Sequence, residues 1–142
     1  MKRKITAFVD SDVVISSLIS KLGAAYFLIN ETSLKFFISN ISLKELKVVV
    51  KKLGLKNEAL ERLVKKQFYI TSLKTDLKKI EEKYKDYVMD INDSHIIAGV
   101  VKSKVKFLIT YNLRHFNVDK IKRDFDILIM TPARFLQYLR SL

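Results

Sequence analysis

The constraint on the fold comes from short β-prone apolar runs separated by longer stretches with helical periodicity. Ile5-Thr-Ala-Phe-Val9, Val105-Lys-Phe-Leu-Ile109 and Asp126-Ile-Leu-Ile-Met130 are nearly continuous in apolar residues, the pattern of strands buried on both faces. Leu34 to Ser39 reads as a further strand, and Phe68-Tyr-Ile70 as a short extended piece. From Val13 to Asn30, Val14, Ile15, Leu18, Leu22, Ala25, Tyr26 and Ile29 suit a helix broken near Gly23. Ser42 is placed to cap a helix running to Leu53, where Gly54 stops it, and another helix spans about Asn57 to Lys66. Helices follow over Thr75 to Tyr87, where Leu77, Ile80, Tyr84 and Tyr87 form a narrow stripe, and over Asn92 to Ser103. Thr131 and Pro132 are a good N-cap and first position for a closing helix over Ala133 to Leu139. Strands alternating with helices imply a three-layer α/β/α arrangement around a mostly parallel sheet of about four to five strands.

A chain of 142 residues that is 49% hydrophobic is expected to form one domain, spanning 1–142, with a sizeable core. Three glycines and one proline leave little room for linkers. With no cysteine, disulfides and thiolate metal sites are excluded, which fits a cytoplasmic protein. Met-Lys-Arg-Lys4 resembles a signal-peptide n-region, but the apolar run after it breaks at Asp10 and no small-residue cleavage site follows. No run approaches the roughly 18 apolar residues of a membrane span. Lys and Arg outnumber Asp and Glu by 27 to 15, a formal charge of +12. That excess favours a polyanionic partner, nucleic acid first.

Against this basic background a few acids stand in unexpected places. In Val88-Met-Asp-Ile-Asn-Asp-Ser-His-Ile-Ile-Ala98, Asp93 shares the helical register of Ile96, Ile97, Val100 and Val101, so its carboxylate is aimed at the core side. Burying that charge is costly without hydrogen bonds or a cation. Asp90 can cap the same helix, but a cap accounts for one aspartate and not for both. Asp10 ends the first strand, where sites form in open parallel sheets, although Asp10 or Ser11 can also cap the helix that follows. Asp12 either shares that capping or faces the same crevice. Glu45 sits among Lys44, Lys47 and Lys51 but in register with Val49 and Leu53, with no lysine three or four residues on. The alternative for Glu45 is an exposed acid at the edge of the apolar stripe. His95, off the stripe, and His115, in the loop Tyr111 to Phe116, read as surface residues. Tyr111, Arg114 and Phe116 can stack on a base, grip a phosphate or anchor the loop. Carboxylates gathered from separate elements repel unless a divalent cation joins them, and an all-oxygen set suits Mg²⁺ or Mn²⁺.

Taken together, Phe8-Val-Asp10-Ser-Asp-Val-Val-Ile-Ser16, Ser42-Leu-Lys-Glu45-Leu, Asp93-Ser-His-Ile-Ile-Ala98, Leu108-Ile-Thr110-Tyr-Asn112-Leu-Arg-His-Phe116 and Ile129-Met-Thr-Pro132-Ala-Arg-Phe-Leu resemble a PIN domain. That family is a metal-dependent ribonuclease module found in many toxins of toxin–antitoxin pairs. The resemblance implies endoribonuclease activity, with Asp10, Glu45 and Asp93 as Mg²⁺ ligands and Thr110 and Asn112 in support. It also implies RNA as substrate, a small antitoxin protein as a partner and a homodimer. Asn112 stands where many members carry Asp; an amide ligates or orients water but adds no charge, so one or two metals both remain open. Asp12 and Asp90 are candidate additional acids, and Arg114 and Tyr111 candidate RNA contacts.

Two rivals stand beside this reading. One is a PIN domain that binds RNA as a scaffold without turnover, for which Asn112 is the hint. The other is a haloacid-dehalogenase-type phosphatase, whose Asp-x-Asp nucleophile motif Asp10-Ser-Asp12 resembles. Motif order argues against it, because that family's strand-terminal Thr or Ser precedes its late acidic pair, whereas Thr110 follows Asp90 and Asp93.

Overall fold

The structure, a computed structural model, describes residues 5–142; the signal-like Met1–Lys4 segment lies outside the described residues. Five strands, β1 (Phe8–Val9), β2 (Phe36–Ser39), β3 (Phe68–Thr71), β4 (Phe107–Ile109) and β5 (Leu128–Met130), form one sheet in the order β3-β2-β1-β4-β5. Every pairing is parallel: Phe8 lies opposite Phe37 on one side and Leu108 on the other, and Phe107 opposite Leu128. The chain builds β2 and β3 outward from β1 on one side, then crosses to build β4 and β5 on the other. The strand order therefore reverses between β1 and β4, and the crevice beyond their carboxyl ends is where such sheets bind ligands.

Alternation along the strands divides the core between two faces. Val9, Phe36, Ile38, Phe107 and Ile109 point to a layer made by α1 (Ser11–Ile19), α2 (Ala24–Glu31), α3 (Asn40–Lys52), α4 (Asn57–Gln67) and α8 (Pro132–Arg140). Phe8, Leu108 and Ile129 point the other way, toward α5 (Leu77–Tyr84), α6 (Ser94–Ser103) and α7 (Val118–Phe125). The result is the expected α/β/α sandwich. No single helix among the described residues is long and apolar enough to cross a membrane; α1 and α2 pass that test only as a pair bent by 95°.

Several boundaries differ from expectation. α3 starts two residues before Ser42, and its N-cap is Ser39, whose hydroxyl accepts the Ser42 N–H at 3.0 Å. Asp126 does not open a strand: it ends α7 in the left-handed conformation, φ 56°. The helix expected to run to Tyr87 stops at Tyr84 and tightens into a 3-10 turn, Lys85–Tyr87. Its stripe is core, with Ile80 and Tyr84 buried, while Leu77 is 48% exposed.

Candidate active site

Asp10 is the first residue past β1. Its backbone N–H donates to the Ile109 carbonyl at 2.9 Å, which locks the end of β1 to the end of β4 and sets Asp10 beside Thr110. The carboxylate divides its work: Oδ1 accepts the Ser11 N–H at 2.7 Å as the cap of α1, and Oδ2 accepts the Thr110 hydroxyl at 2.9 Å. Both roles open to Asp10, cap and crevice residue, are therefore met at once. Thr110 is fully buried, and its Oγ1 also accepts the Asn112 N–H at 3.0 Å, which curls the strand end back over the crevice.

Asp12, in the first turn of α1, faces the same crevice. Its Oδ2 accepts from the Tyr111 N–H at 2.9 Å and from Asn112 Nδ2 at 3.0 Å, with Thr110 Oγ1 at 3.3 Å. Asp93 occupies the N-cap position of α6 yet makes no capping bond with its side chain. Asp90 does the capping work instead, accepting the Asn92 N–H at 2.9 Å at the start of the 3-10 turn Ile91–Asp93. Asp93 is left free to face the crevice, where its Oδ2 lies 3.5 Å from His115 Nδ1. His115, in the 3-10 turn Leu113–His115, is half exposed. Tyr111 and Arg114 are exposed.

The position of His95 corrects the sequence reading, and Glu45 takes the exposed edge position that the reading left open. The buried stripe of α3 is Ser42, Leu46 and Val50, and Glu45 stands at its half-exposed edge rather than in the core. His95, read as a surface residue, is 4% exposed, and its Nε2 lies 2.7 Å from Glu45 Oε1. His95 is the site residue that sequence reasoning missed. The available signal was the near-unbroken apolarity of Ile96 to Val101: α6 is buried from Ser94 to Val100, so no face was left for a surface histidine.

The acids act on one another electrostatically. Burial first, then the charge of Asp12 and more weakly that of Asp93, pushes the Asp10 carboxyl up to about 7 from its ordinary 3.8, against the lowering effect of the Thr110 and Ser11 hydrogen bonds. Burial likewise raises Asp12, which the Tyr111, Val13 and Thr110 donors and the charge of His115 hold down. Asp93 is also raised chiefly by burial; Asp90 and Glu45 add to the shift, while His115 and His95 oppose it. Asp12 and Asp93 thus act on Asp10, and Glu45 on Asp93, which gathers acids separated along the chain by up to 83 residues near the point where the strand order reverses.

No three acidic or histidine side chains among the described residues close tightly enough to enclose a metal ion as they stand. Each acid is instead drawn to a local partner: Glu45 to His95, Asp93 toward His115, and Asp10 and Asp12 to Thr110 and its loop. The donor set nevertheless fits a hard cation, because all four acids offer oxygen and Asp12 Oδ1 is buried without any hydrogen-bond partner.

Residues 6–114 match the PIN domain family, and the chain belongs to it. Membership places it among domains of the nuclease class. No curated protein matches the chain. Among solved structures it is similar to VapBC2 from Rickettsia felis bound to a DNA fragment from its promoter, at 16% identity over 88% of this chain and 97% of that one, with a TM-score of 0.57. It is also similar to Mycobacterium tuberculosis VapC20, described as a Sarcin-Ricin loop cleaving toxin, at 15% identity over 84% of this chain and 95% of that one, with a TM-score of 0.55. At these identities the likeness is one of fold.

Proposed function

We propose that this chain is a Mg²⁺- or Mn²⁺-dependent endoribonuclease acting as the toxin of a toxin–antitoxin pair, with a small antitoxin protein as its partner. The observation that carries the reading is the acidic crevice itself, set in a chain of net charge +12. Asp10, Glu45 and Asp93 would hold the metal, with Thr110 and Asn112 fixing the geometry around it. When bound, a divalent cation would supply Lewis acidity at a phosphoryl oxygen and lower the pKa of a water so that, on losing a proton, it becomes a nucleophile toward phosphorus. The remaining work belongs to the chain. Thr110 fixes Asp10, His95 orients Glu45, and the exposed Tyr111 and Arg114 offer a ring and a guanidinium to a base and a phosphate. The fold likeness to VapC20, described as a Sarcin-Ricin loop cleaving toxin, and to VapBC2 supports the toxin reading.

The phosphatase alternative asks Asp10 to attack phosphorus, and the order of the motifs speaks against it, because Thr110 follows Asp90 and Asp93 in the chain. Incubation of labelled RNA with the protein and Mg²⁺, repeated with chelator and with Asp10→Asn, tests the proposal. Cleavage is expected in the first case alone. Cleavage that survives both changes would sink the mechanism, and tight salt-sensitive binding without cleavage would select a scaffold instead.

A further inference from the structure

We infer that Asp12 supplies a fourth carboxylate oxygen, Oδ1, to the metal centre, and that Asn112 is the residue that positions it. The inference rests on the metal-dependent reading above and assigns new roles within it.

The two oxygens of Asp12 have opposite environments. Oδ2 accepts from the Tyr111 N–H at 2.9 Å and Asn112 Nδ2 at 3.0 Å, with a longer contact at 3.3 Å to the Thr110 hydroxyl, whose one proton points mainly to Asp10 Oδ2. These donors all come from the loop after β4 and hold the same oxygen, so the carboxylate is pinned against rotation. Oδ1 is buried without a hydrogen-bond partner; the nearby Val13 N–H, which lowers the Asp12 carboxyl through its charge distribution, donates to the Asp10 carbonyl at 3.1 Å. A buried oxygen without a partner is costly, and a protein that tolerates one usually has a use for it. Asp10 also keeps lone pairs for a cation, since each of its oxygens accepts a single hydrogen bond within the chain. Asp12 Oδ1 thus carries unused lone pairs on a carboxylate that the loop donors hold in place, which suits it to accept a cation.

Asn112 explains how this charge is tolerated. Its amide nitrogen donates to Asp12 Oδ2 at 3.0 Å; a carboxylate at 112 would instead place two like charges at that separation. The amide adds no charge of its own, and the carboxylate of the pair resides at position 12. Asn112 acts through Asp12 and is a positioning residue, so its effect is expected in metal affinity rather than in the chemical step.

The competing role for Asp12 is a latch that ties α1 to the loop after β4. A latch needs only the acceptor at Oδ2, whereas a ligand needs Oδ1. Asp12→Asn separates them, because the amide oxygen keeps the three donors and an NH₂ group replaces Oδ1. The measurement is calorimetric titration of the full chain with Mn²⁺, alongside melting curves without metal and the RNA cleavage assay. Asp12→Asn is expected to weaken Mn²⁺ binding roughly tenfold or more while the metal-free melting temperature holds or rises, and Asn112→Ala roughly tenfold, within the range for outer-shell partners. Asn112→Asp placed in the Asp12→Asn background returns a carboxylate to the pair and is expected to regain part of the missing affinity, which repair of a fold defect would not. Should Asp12→Asn not fold, Asn112→Ala tests the same claim without altering the carboxylate. Wild-type Mn²⁺ affinity in Asp12→Asn, with the parent protein binding metal and cleaving RNA, would overturn the inference and leave the nuclease reading intact. A parent protein that neither binds Mn²⁺ nor cleaves would remove both. Parent Mn²⁺ affinity in Asn112→Ala would overturn the role given to Asn112.

Discussion

A carboxyl group that folding carries from an ordinary 3.8 to about 7 makes stability depend on pH in a definite direction. Folded Asp10 binds its proton more tightly than the unfolded chain does, so its stabilising contribution is complete below about 3.8 and is lost as pH rises through about 7. Asp12 and Asp93 are raised as well and push the same way. The metal-free protein is therefore expected to lose melting temperature between those two pH values, and Asp10→Asn to flatten the loss. Saturating Mn²⁺, which binds the ionised acids, is expected to reverse it. A chelator-treated melting series across that interval checks this, and a melting temperature that rises in parallel in both proteins would contradict it. Asp93 allows a second test, because it sits at an N-cap position without making the cap bond. Asp93→Asn should leave stability within about 0.5 kcal/mol of the parent, while cleavage falls by roughly 100-fold or more, the upper end of what even outer-shell partners of a metal contribute. A collapse in melting temperature would show that Asp93 is a structural cap after all. Asp10, Asp12 and Asp93 are legible in the sequence because strand ends and helix starts are sites that local pattern locates. His95 is not, since a helix buried on all sides has no polar face from which to read a register. The Glu45 partner lies 50 residues away in the chain, beyond what spacing can reveal.

At the scale of elements, the site depends on how closely α6 lies against β1, because these two carry Asp93 and lead to Asp10. Gly99 sets that distance: a Cβ there would meet Phe8 Cζ at 2.6 Å and Cε2 at 2.7 Å. Helix propensity alone favours alanine by up to about 1 kcal/mol. The Phe8 ring, however, is fully buried in the core on that face of the sheet and has nowhere to turn, and overpacking of this kind costs about 1–3 kcal/mol. Gly99→Ala is therefore expected to destabilise, with Phe8→Leu in the same background recovering part of the loss; urea midpoints decide the sign, and a stabilised Gly99→Ala would show that the helix can move away. The same elements show what local pattern can and cannot supply. Continuous apolar runs reveal the buried strands, but only Phe8 and Val9 of the first form ladder pairs, because register depends on neighbours remote in sequence. Ser42 suits the cap by sequence although Ser39 fills that place, since serines three apart look alike until the chain's turn into the helix is known. α7 escapes the sequence reading although Val118, Ile121 and Phe125 follow helical spacing and Asn117 caps it through Lys120 N. Its two turns are amphipathic yet short, and packing against the sheet rather than propensity sustains such a helix.

For the whole molecule, the acids of the crevice belong to a chain whose cations exceed its anions by 12. A phosphodiester backbone is attracted by the surface and repelled by the crevice until a divalent cation bridges the two. Binding and chemistry should therefore separate experimentally. α3 carries both functions, with Lys44, Lys47 and Lys51 exposed on the same helix as Glu45. Replacing these three with alanine in the cleavage-deficient Asp93→Asn protein is expected to weaken single-stranded RNA binding whatever its sequence. The slope of log K against log salt should shrink by about 0.7 for each phosphate that the variant no longer neutralises. Replacing lysines of α4, Lys65 and Lys66, which are also exposed, gives the comparison for a surface farther along the chain. If RNA tracks past Glu45 toward the crevice, the α3 variant loses slope and affinity while the α4 variant loses little. Equal losses from both would mean that the charge acts as a diffuse field, and an unchanged slope in the α3 variant would place the RNA path on another face of the protein.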